Sequence, residues 1–401
     1  MSKKILLICF DTPYPDNYGG VVDIERKFKF FHNNGFKIDL ICSSFDLERT
    51  RNFEDIIAHN HDIIDHYHIE NIDVSFRKIL LLFSLKPFSV RVREINFHKI
   101  NFIQNHEYDL VLVEHLKSTH KIKSLRSILQ NSSKFWLRMH NDEAEYYGNL
   151  MKVEPNILKK IFFLTECFKY KYYQRKILNN NVFDGFLYIS SRDKDRLQNT
   201  SVLTDQKHIL LPIYQEKITK KTRNLSRKID FLYVGNLDLN DNFDALKQMI
   251  LFLKHHGLEN TKINIVGKCT GIKREQEIKT LFSDFLNIKF DFNVDNKTLD
   301  HAYADSKFFL NFSSNKSGVK TKLIDAINRM VPVISDDNGV IGSGYENIIW
   351  NKNSVDSKEI FNLISDENAY LEFYNEFEDV VIENSKKIDK IYQQWLIENY
   401  E

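Results

Sequence analysis

The feature that most constrains this chain is a series of short apolar runs, several of them unbroken, that stop at a glycine, a proline or a polar residue. The first is residues 5–10, Ile-Leu-Leu-Ile-Cys-Phe, and residues 110–113, Leu-Val-Leu-Val, form another. Runs of this kind are typical of strands buried on both faces, as in parallel sheets. Stretches with helical spacing separate them. The alternation of strand and helix predicts a doubly wound α/β fold.

The pattern runs through the chain twice. In the first half, a loop is predicted at 12–20, helices at 21–34 and 156–178, and strands at 5–10, 37–42, 110–113, 134–138 and 186–189. In the second half, helices are predicted at 242–255 and 320–330, and strands at 229–234, 263–266, 307–311 and 332–334. A polar, lysine-rich stretch at 216–228 separates the halves. We therefore expect an N-terminal domain at residues 1–212, a linker at 213–228 and a C-terminal domain at 229–380. A final helix at 381–401 is expected to pack back towards the first domain.

Composition excludes several classes of protein. The 401 residues carry 56 Lys and Arg against 55 Asp and Glu, a formal net charge of +1. This balance argues against a nucleic-acid binder that relies on a global positive field. The four cysteines have no paired spacing, so neither a disulfide framework nor a zinc site is expected. Because the apolar runs are too short for a secretory signal or a membrane span, we expect a cytoplasmic protein.

Residues 317–326, Ser-Gly-Val-Lys-Thr-Lys-Leu-Ile-Asp-Ala, combine a glycine with charged residues at the predicted start of a helix. The first turn of a helix offers unpaired N–H groups and the positive end of the helix dipole. Lys320 and Lys322 add positive charge, and Lys322 shares a helix face with Asp325 three residues later. Cations and N–H groups suit a diphosphate, and a carboxylate suits ribose hydroxyls. On spacing alone, a surface helix with solvated lysines is the alternative.

Residues 325–334, Asp-Ala-Ile-Asn-Arg-Met-Val-Pro-Val-Ile, resemble the glutamate-bearing segment before Pro-Val-Ile in GT-B glycosyltransferases, specifically the family-4-like group (glycosyl transferases group 1). Other segments resemble pieces of that family in the same order: the glycine loop at 13–20, the strand and turn at 231–237, and the strand at 263–267. The resemblance covers most of the chain. It implies two Rossmann-like doubly wound domains that face each other across a cleft, and an enzyme that transfers a hexosyl group from a nucleotide sugar.

The resemblance also implies how the donor, a UDP- or GDP-linked sugar, is bound. Asp325 takes the position of the ribose-binding glutamate, and Lys322 neutralises the leaving diphosphate. Backbone N–H groups near Gly235 approach the diphosphate. The implied donor-binding residues are Gly20, Gly235, Asn236, Gly318, Val319, Lys320, Lys322 and Asp325. Because lysine and helix dipoles can supply the positive charge, no metal or other cofactor is expected.

In the first half, His140 follows the strand predicted at 134–138 and should lie at its carboxyl end, where parallel sheets place their sites. It resembles the cleft histidine of the family, which contacts the transferred sugar. A histidine there can bond a hydroxyl or move a proton, although a buried structural histidine is the alternative. The catalytic candidates are His140 and Glu143, either of which could be the base of an inverting reaction; the resemblance implies retention. The expected acceptor-side residues are Gly19, Glu114, His115 and Asn141.

The chain departs from the family pattern at several positions. Ser317 stands where the first glutamate is usual, and Asp325 is one methylene shorter than the second. Met330 replaces the usual glycine, and residues 237–242 contain no Arg or Lys. Two other functions therefore stay open: a nucleotide-sugar epimerase or phosphorylase of the same fold, and a degenerate partner subunit that no longer turns over.

The acceptor expected from the resemblance is a glycan or a lipid-linked acceptor in bacterial-type polysaccharide or glycoconjugate synthesis. Basic and aromatic residues interleave at 159–176 and at 77–93. These stretches fit either peripheral contact with the inner face of a membrane or core helices whose lysines reach solvent. No nucleic-acid partner is expected.

Overall fold

The computed structural model describes residues 3–15, 19–59, 63–73, 75–129, 133–202, 206–220 and 227–400. The chain divides into two compact units. Unit 1 comprises Met1–Gly148, Ile161–Glu216 and Ile388–Glu401, and unit 2 comprises Asn149–Lys160 and Lys217–Lys387. The domain limits expected from the sequence stay a prediction.

Unit 1 is built on a seven-stranded parallel sheet in the order β3-β2-β1-β4-β5-β6-β7. Its strands are β1 (Lys4–Cys9), β2 (Lys37–Ser44), β3 (Ile64–Asn71), β4 (Leu110–Glu114), β5 (Lys134–Met139), β6 (Gly185–Tyr188) and β7 (Lys207–Leu210). The chain moves outwards from β1 to β3 and then crosses to β4 on the other side of β1. Ligands of α/β sheets bind at such a switch point, beyond the carboxyl ends of the strands.

Helices flank this sheet. They are α1 (Gly19–Asn33), α2 (Leu47–His59), α3 (Phe76–Ile79), α4 (Phe88–Arg91), α5 (Asn101–Asn105), α6 (Ile122–Ile128), α7 (Glu143–Val153), α8 (Ile157–Leu178) and α9 (Ser191–Gln198). Short 3₁₀ helices occur at Leu80–Phe83, Phe97–Lys99 and Leu116–Ser118. The last residues of α7 and the first turn of α8 belong to unit 2.

Unit 2 repeats the plan with a six-stranded parallel sheet in the order β10-β9-β8-β11-β12-β13. Its strands are β8 (Ile229–Asn236), β9 (Ile263–Lys268), β10 (Ile288–Phe292), β11 (Ser306–Asn311), β12 (Val333–Ser335) and β13 (Trp350–Asn351). Its helices are α10 (Asn240–His255), α11 (Ile272–Leu281), α12 (Asn296–Ala304), α13 (Thr321–Asn328), α14 (Asp337–Val340), α15 (Ser357–Ser365) and α16 (Glu367–Tyr400). The switch point lies between β8 and β11.

The predicted α/β class is confirmed, and every predicted strand is present. The strands that the apolar runs did not predict are β3, β7, β10 and β13, which are the edge strands of the two sheets. An edge strand has a neighbour on one side only and is less buried, so polar residues interrupt it. In β3, for example, the sequence Ile-Asp-His-Tyr-His-Ile-Glu-Asn is half-buried or exposed at every residue after Ile64.

Several helix limits predicted from the sequence are wrong. Helix α1 begins at Gly19, so Gly19 and Gly20 lie in its first turn and not in a loop, because both adopt helical backbone angles. Residues 16–18 of that predicted loop, and 221–226 of the predicted linker, lie outside the described residues. Helix α16 begins at Glu367 and not at 381, since its aromatic residues pack along unit 2 before its end reaches unit 1.

Helix α13 ends two residues earlier than the predicted 330, because Met330 has a left-handed backbone with φ of 57°. The Met330 N–H donates to Ile327 O at 2.9 Å, and the Val331 N–H donates to Ala326 O at 2.9 Å. This is the Schellman pattern, in which glycine is usual. Met330 is fully buried, so its side chain fills part of the core while its backbone carries the strain of the turn.

The end of α16 completes the core of unit 1. Trp395 meets the ring of Trp136 edge to face, with 6.0 Å between centroids, and Tyr392 packs on Phe30 at 5.0 Å. The Tyr392 hydroxyl donates to Pro212 O at 2.7 Å. Burying side chains of this size stabilises the fold by roughly 1.5–3 kcal/mol each. The last turns of the chain are therefore part of the folded unit.

Candidate functional site

The carboxyl ends of β1, β4 and β5 bring three rings together at the switch point of unit 1. Phe10 follows β1, His115 follows β4 and His140 follows β5. The ring of Phe10 lies 4.8 Å from that of His115 and 5.9 Å from that of His140, and the two imidazoles are 5.0 Å apart. Gly20, in the first turn of α1, faces the same ring: a Cβ on it would lie 2.5 Å from Phe10 Cζ.

His140 is oriented by a buried carboxylate. Its Nε2 lies 3.1 Å from Glu114 Oε2, and Glu114 is the last residue of β4. A carboxylate only accepts hydrogen bonds, so Nε2 carries the proton and Nδ1 is the acceptor nitrogen. Nδ1 has no hydrogen-bond partner among the described residues. The imidazole therefore presents an acceptor that can take a hydrogen bond or a proton from a ligand.

Glu114 is itself bound by buried charged residues. Lys27 lies 3.3 Å from Glu114 Oε1 and also pairs with Asp23, one helical turn earlier in α1. Arg138 binds both oxygens of Asp23, at 3.1 and 3.0 Å. Burial alone would raise the pKa of Asp23, but Arg138 and Lys27 hold it far below its usual range. The result is a fully buried chain of alternating charges that ends on the imidazole of His140.

His115 is the centre of a neighbouring cluster. Its Nδ1 accepts the Lys117 N–H at 3.1 Å, so the proton lies on Nε2, which is 3.1 Å from Glu143 Oε1. The Asn141 amide donates to the same oxygen at 2.9 Å, and Lys117 Nζ is 3.7 Å from Glu143 Oε2. Burial, assisted by Lys117, lowers the pKa of His115 to about 3, so the ring is neutral.

Glu143 is ionised in this cluster. Burial would raise its pKa, but Lys117, His115 and the hydrogen bond from Asn141 lower it to about 2. A carboxylate with such a pKa is a weak base, so the geometry favours His140 over Glu143 as the group that moves a proton. His115 also has a positive φ of 78°, a strained conformation for a residue with a side chain.

The sequence-predicted residues Glu114, His115, His140, Asn141 and Glu143 are therefore brought together, and Gly20 lies beside them across the Phe10 ring. Sequence reasoning missed Asp23, Lys27 and Arg138. Two signals could have found them: an acid and a base one turn apart in α1, and an arginine among the apolar residues 135–139 of strand β5.

The carboxylates and imidazole of Asp23, Glu114 and His140 lie close enough together to hold a metal ion. Lys27 pairs with both carboxylates, and a metal ion would have to displace its ammonium group. Two cations, Lys27 and Arg138, already balance the two carboxylates. The donor set therefore fits an internal charge network better than a cation site.

In unit 2, Lys322 lies on the first turn of α13, beside the carboxyl end of β8. Its Nζ donates to Tyr233 Oη and Phe312 O, each at 3.3 Å, and lies 4.6 Å from the centre of the Tyr233 ring. No carboxylate lies within 4.0 Å of this amine among the residues that the structure describes. Burial lowers the pKa of Lys322 to about 8, although Asp241 and Asp336 act in the opposite direction.

Gly235 and Asn236 end β8 and form the turn into α10. A Cβ on Gly235 would lie 3.3 Å from the Tyr233 ring and 3.4 Å from Asn242 Cγ. The Asn236 side chain accepts the Asp238 N–H at 3.2 Å, and its carbonyl accepts the Asn242 amide at 2.9 Å. Asn242 Oδ1 lies 3.5 Å from Lys322 Nζ. The turn is thus connected to the half-buried amine of Lys322.

Asp336, which sequence reasoning missed, accepts hydrogen bonds near the loop that precedes α13. Asp336 accepts the Ser313 N–H at 3.1 Å and the Gly339 N–H at 2.7 Å. Gly318 has a φ of 68°, and the half-buried Val319 follows it. Lys320 is the N-cap residue of α13, and its Nζ donates back to Ser317 O at 2.8 Å. The helix itself begins at Thr321, three residues after Gly318.

Asp325 is half-buried one turn further along α13. Its charge acts on Arg329 and Tyr303, whereas the carboxylates that act on Lys322 are Asp241 and Asp336. Arg329 in turn binds Asp300 at 2.8 Å. The carboxylates that act on Lys322 thus come from outside α13, and the roles expected for Lys322 and Asp325 stay a prediction.

Comparison with known proteins gives the fold. No protein-family model matches the chain. An uncharacterised 44.6 kDa protein in the cps region of Klebsiella pneumoniae is 28% identical over 372 residues, covering 90% of each chain. Among solved structures, a mutant of Staphylococcus aureus TarM in complex with fondaparinux, α-GlcNAc-glycerol and UDP aligns with a TM-score of 0.65 at 11% identity, covering 100% of both chains.

The pneumococcal O-GlcNAc transferase GtfA, in complex with UDP and GlcNAc, aligns with a TM-score of 0.62 at 13% identity, covering 99% of each chain. At these identities, likeness to a solved structure shows the fold alone. The architecture implied by the resemblance of the 325–334 segment is thereby confirmed: the chain has the GT-B fold of these glycosyltransferases.

Proposed function

We propose that the protein is a glycosyltransferase that moves a hexosyl group from a UDP- or GDP-linked donor to a glycan or a lipid-linked acceptor in polysaccharide or glycoconjugate synthesis. The observation that carries the proposal is Lys322, a half-buried amine at the switch point of unit 2 with only neutral oxygens as partners among the described residues. A buried charge is costly without a counter-ion, so the site is prepared for an anion from outside the chain.

A diphosphate would supply that anion. In the proposal, its charge is met by the Lys322 amine and by the N–H groups of the turn at Gly235 and Asn236. Gly318, Val319 and Lys320 lie on the loop that opens α13 and would line the other side. Asp325, one turn along the helix, is assigned to the ribose hydroxyls. The lysine and the N–H groups would neutralise the negative charge of the diphosphate, so the proposal includes no metal ion.

His140 is assigned to a hydroxyl of the sugar that is transferred. Its Nδ1 can accept a hydrogen bond there because Glu114 fixes the proton on Nε2. If the reaction retains the anomeric configuration, the leaving phosphate can take the proton of the acceptor hydroxyl. If it inverts, His140 is the better base, since the pKa of Glu143 is lowered to about 2. Asn141, His115 and Gly19 belong to the same proposal on the acceptor side.

Contact with the surface of a membrane is part of the proposal, because a lipid-linked acceptor is presented there. The UDP, sugar and glycan ligands named for the solved relatives support donor and acceptor binding of this kind. A degenerate partner subunit is the second candidate. The observation that favours it is Ser317, which is buried and carries no charge where the family has its first glutamate.

The test is calorimetric titration of the purified protein with UDP, GDP and their sugars. Lys322→Met should weaken binding of the preferred nucleotide at least tenfold. Lys297→Met, which removes an exposed lysine of α12, should leave it unchanged. Unchanged affinity in the Lys322→Met protein would contradict the donor site. Nucleotide binding without transfer to any acceptor pool would support the degenerate subunit, and turnover of the donor without an acceptor would support the epimerase or phosphorylase.

A further inference from the structure

Unit 1 exposes an unusually apolar face. Helix α8 carries Ile161, Leu164, Phe168 and Tyr172 along one stripe, and all four are exposed. Phe168 is 64% exposed and Tyr172 is 62% exposed. Soluble helices normally show polar residues on the solvent side. Here the side facing the core is apolar as well, with Tyr170, Tyr173 and Ile177 buried, so the helix has apolar residues on both sides.

A second element extends this face. Phe83 and Leu85, at the end of the 3₁₀ helix Leu80–Phe83 and just beyond it, are each 85% exposed. The segment is fastened to α8: Lys169 Nζ donates to Leu82 O at 2.7 Å, and the Phe88 N–H donates to Glu166 Oε2 at 2.8 Å. We call the exposed side chains of Phe83, Leu85, Ile161, Leu164, Phe168 and Tyr172 the apolar face.

Several cations lie on the two stretches of chain that carry the apolar face. Lys86, Lys171, Arg175 and Lys176 lie on the same two elements, and none forms a salt bridge with a residue in the described part of the chain. Burial, Arg91 and Lys176 lower the pKa of Lys86, whereas Glu94 acts in the opposite direction, so Lys86 lies near Lys176. The one acidic residue of α8, Glu166, is fully buried and points inwards. The face therefore combines exposed aromatic rings with cations that form no salt bridge among the described residues.

We propose that this face binds the surface of an anionic phospholipid bilayer. The rings of Phe83, Phe168 and Tyr172 would enter the headgroup region, and the cations would lie against lipid phosphates. Basic residues beside exposed aromatic and leucine side chains are the pattern of interfacial binding. A neutral protein partner would leave the cations unpaired, so their charge favours the anionic membrane. Among the described helices, none combines the length and apolar character needed to cross a bilayer.

The inference rests on the proposed function only for its purpose, which is to bring a transferase to a lipid-linked acceptor. Binding to vesicles is measured without donor, acceptor or transfer. A protein that binds UDP but not vesicles would contradict membrane contact and leave the donor site standing, and one that binds vesicles but no nucleotide would contradict the donor site and leave the membrane surface standing.

The experiment is co-sedimentation of the full chain with vesicles of phosphatidylcholine, with and without phosphatidylglycerol. The protein should bind the anionic vesicles at least tenfold more tightly, and added salt should weaken that binding. Because each cation near the surface contributes about fivefold, K171E/K176E should lower affinity roughly 25-fold or more. F83S/L85S should lower it at least tenfold through loss of apolar contact.

The matched control is I272S/L286S, which removes two side chains of unit 2 that are 77% and 79% exposed. It should bind vesicles as the unaltered protein does, and thermal melting should show all three variants folded. Failure of the unaltered protein to bind anionic vesicles would overturn the inference, as would binding that both surface variants retain. A dimer that F83S/L85S converts to monomer, without vesicle binding, would assign the face to a second copy of the chain instead.

Discussion

His140 Nε2 lies 3.1 Å from Glu114 Oε2. Glu114 is the last residue of β4, and His140 directly follows β5, the adjacent strand. This contact fixes the proton on Nε2 and leaves Nδ1 as the acceptor nitrogen. Behind Glu114, the ion pairs through Lys27 and Asp23 to Arg138 keep the carboxylate in place. The orientation of the His140 ring is therefore set by a buried network that begins at Glu114.

Glu114→Gln tests this arrangement. The amide keeps the shape but removes the negative charge that orients the imidazole, so kcat should fall about 100-fold with little change in KM for the donor. The pH–rate profile should move as well. Since both residues act as one unit, Glu114→Gln should have little further effect in a His140→Ala background.

The matched control for that experiment is Glu166→Gln, which changes another buried carboxylate of unit 1, on α8. Its kcat and pH profile should stay as in the unaltered protein. Equal kinetic effects of the two variants would show that Glu114 acts only on stability.

Binding of the nucleotide should weaken as the pH rises through about 8. The pKa of Lys322 in the free protein is lowered to about 8 by burial, so the amine loses its charge above that value. At pH 9 about one tenth of the sites would be protonated, and the apparent affinity for UDP should be about tenfold lower than at pH 7. Titration calorimetry from pH 7 to 9 measures this.

Lys322→Arg should remove the pH dependence, because an arginine stays protonated throughout this range. A tenfold loss of affinity that persists in the arginine variant would show that another group titrates.

The free energy of unfolding should fall as the pH drops from about 6.5 towards 3. The pKa of His115 is lowered to about 3 by burial, whereas an unfolded histidine takes up its proton near 6.5. The unfolded chain then binds more protons than the folded one in this interval, which costs up to about 1.4 kcal/mol per pH unit. Glu143, with its pKa lowered to about 2, adds a loss of the same sign below about 4.5.

Urea unfolding at pH 7, 6 and 5 measures the effect. His115→Asn can keep a hydrogen bond to Glu143 without a titrating ring and should flatten the curve. His301→Asn, at an exposed histidine of α12, should not. Parallel curves for the two variants would exclude His115 as the cause.

Gly185→Ala should destabilise unit 1. Gly185 is paired with Trp136 across β5 and β6, and a Cβ on it would lie 2.2 Å from Trp136 Cζ3. Either the indole or the strand must move, at a cost of about 1–3 kcal/mol or more. Gly148→Ala is the control, because its Cβ would lie 3.6 Å from Cys167 Sγ, an ordinary contact. In a helix that change should stabilise by up to about 1 kcal/mol. Urea midpoints compare the two, and equal stability would contradict the contact.

The sequence predicted the interior of both sheets because a strand with neighbours on both sides is apolar throughout. Strand β1, for example, is fully buried from Ile5 to Cys9. Edge strands such as β3 and β10 lack that signal, since their second side is exposed. Helix starts were missed where a glycine was interpreted as a loop residue, as at Gly19, because glycine fits both conformations.

For the site, the sequence located His140 and Glu114 through their places after predicted strands. It could not locate Asp23 or Arg138, which meet only because α1 crosses the end of β5, 115 residues apart in the chain. The charge state of Glu143 depends on the same kind of contact: Lys117 and His115 reach it only in the folded unit.

Gly20 has a consequence for how variants of this protein should be interpreted. Its hydrogen leaves room for the edge of the Phe10 ring, and that ring also contacts both imidazoles. A larger residue at this position would push the ring into His115 and His140 together. Loss of activity on such a change would thus result from displacement of the Phe10 ring against the two histidines. A kinetic defect in a Gly20 variant is therefore no measure of phosphate binding.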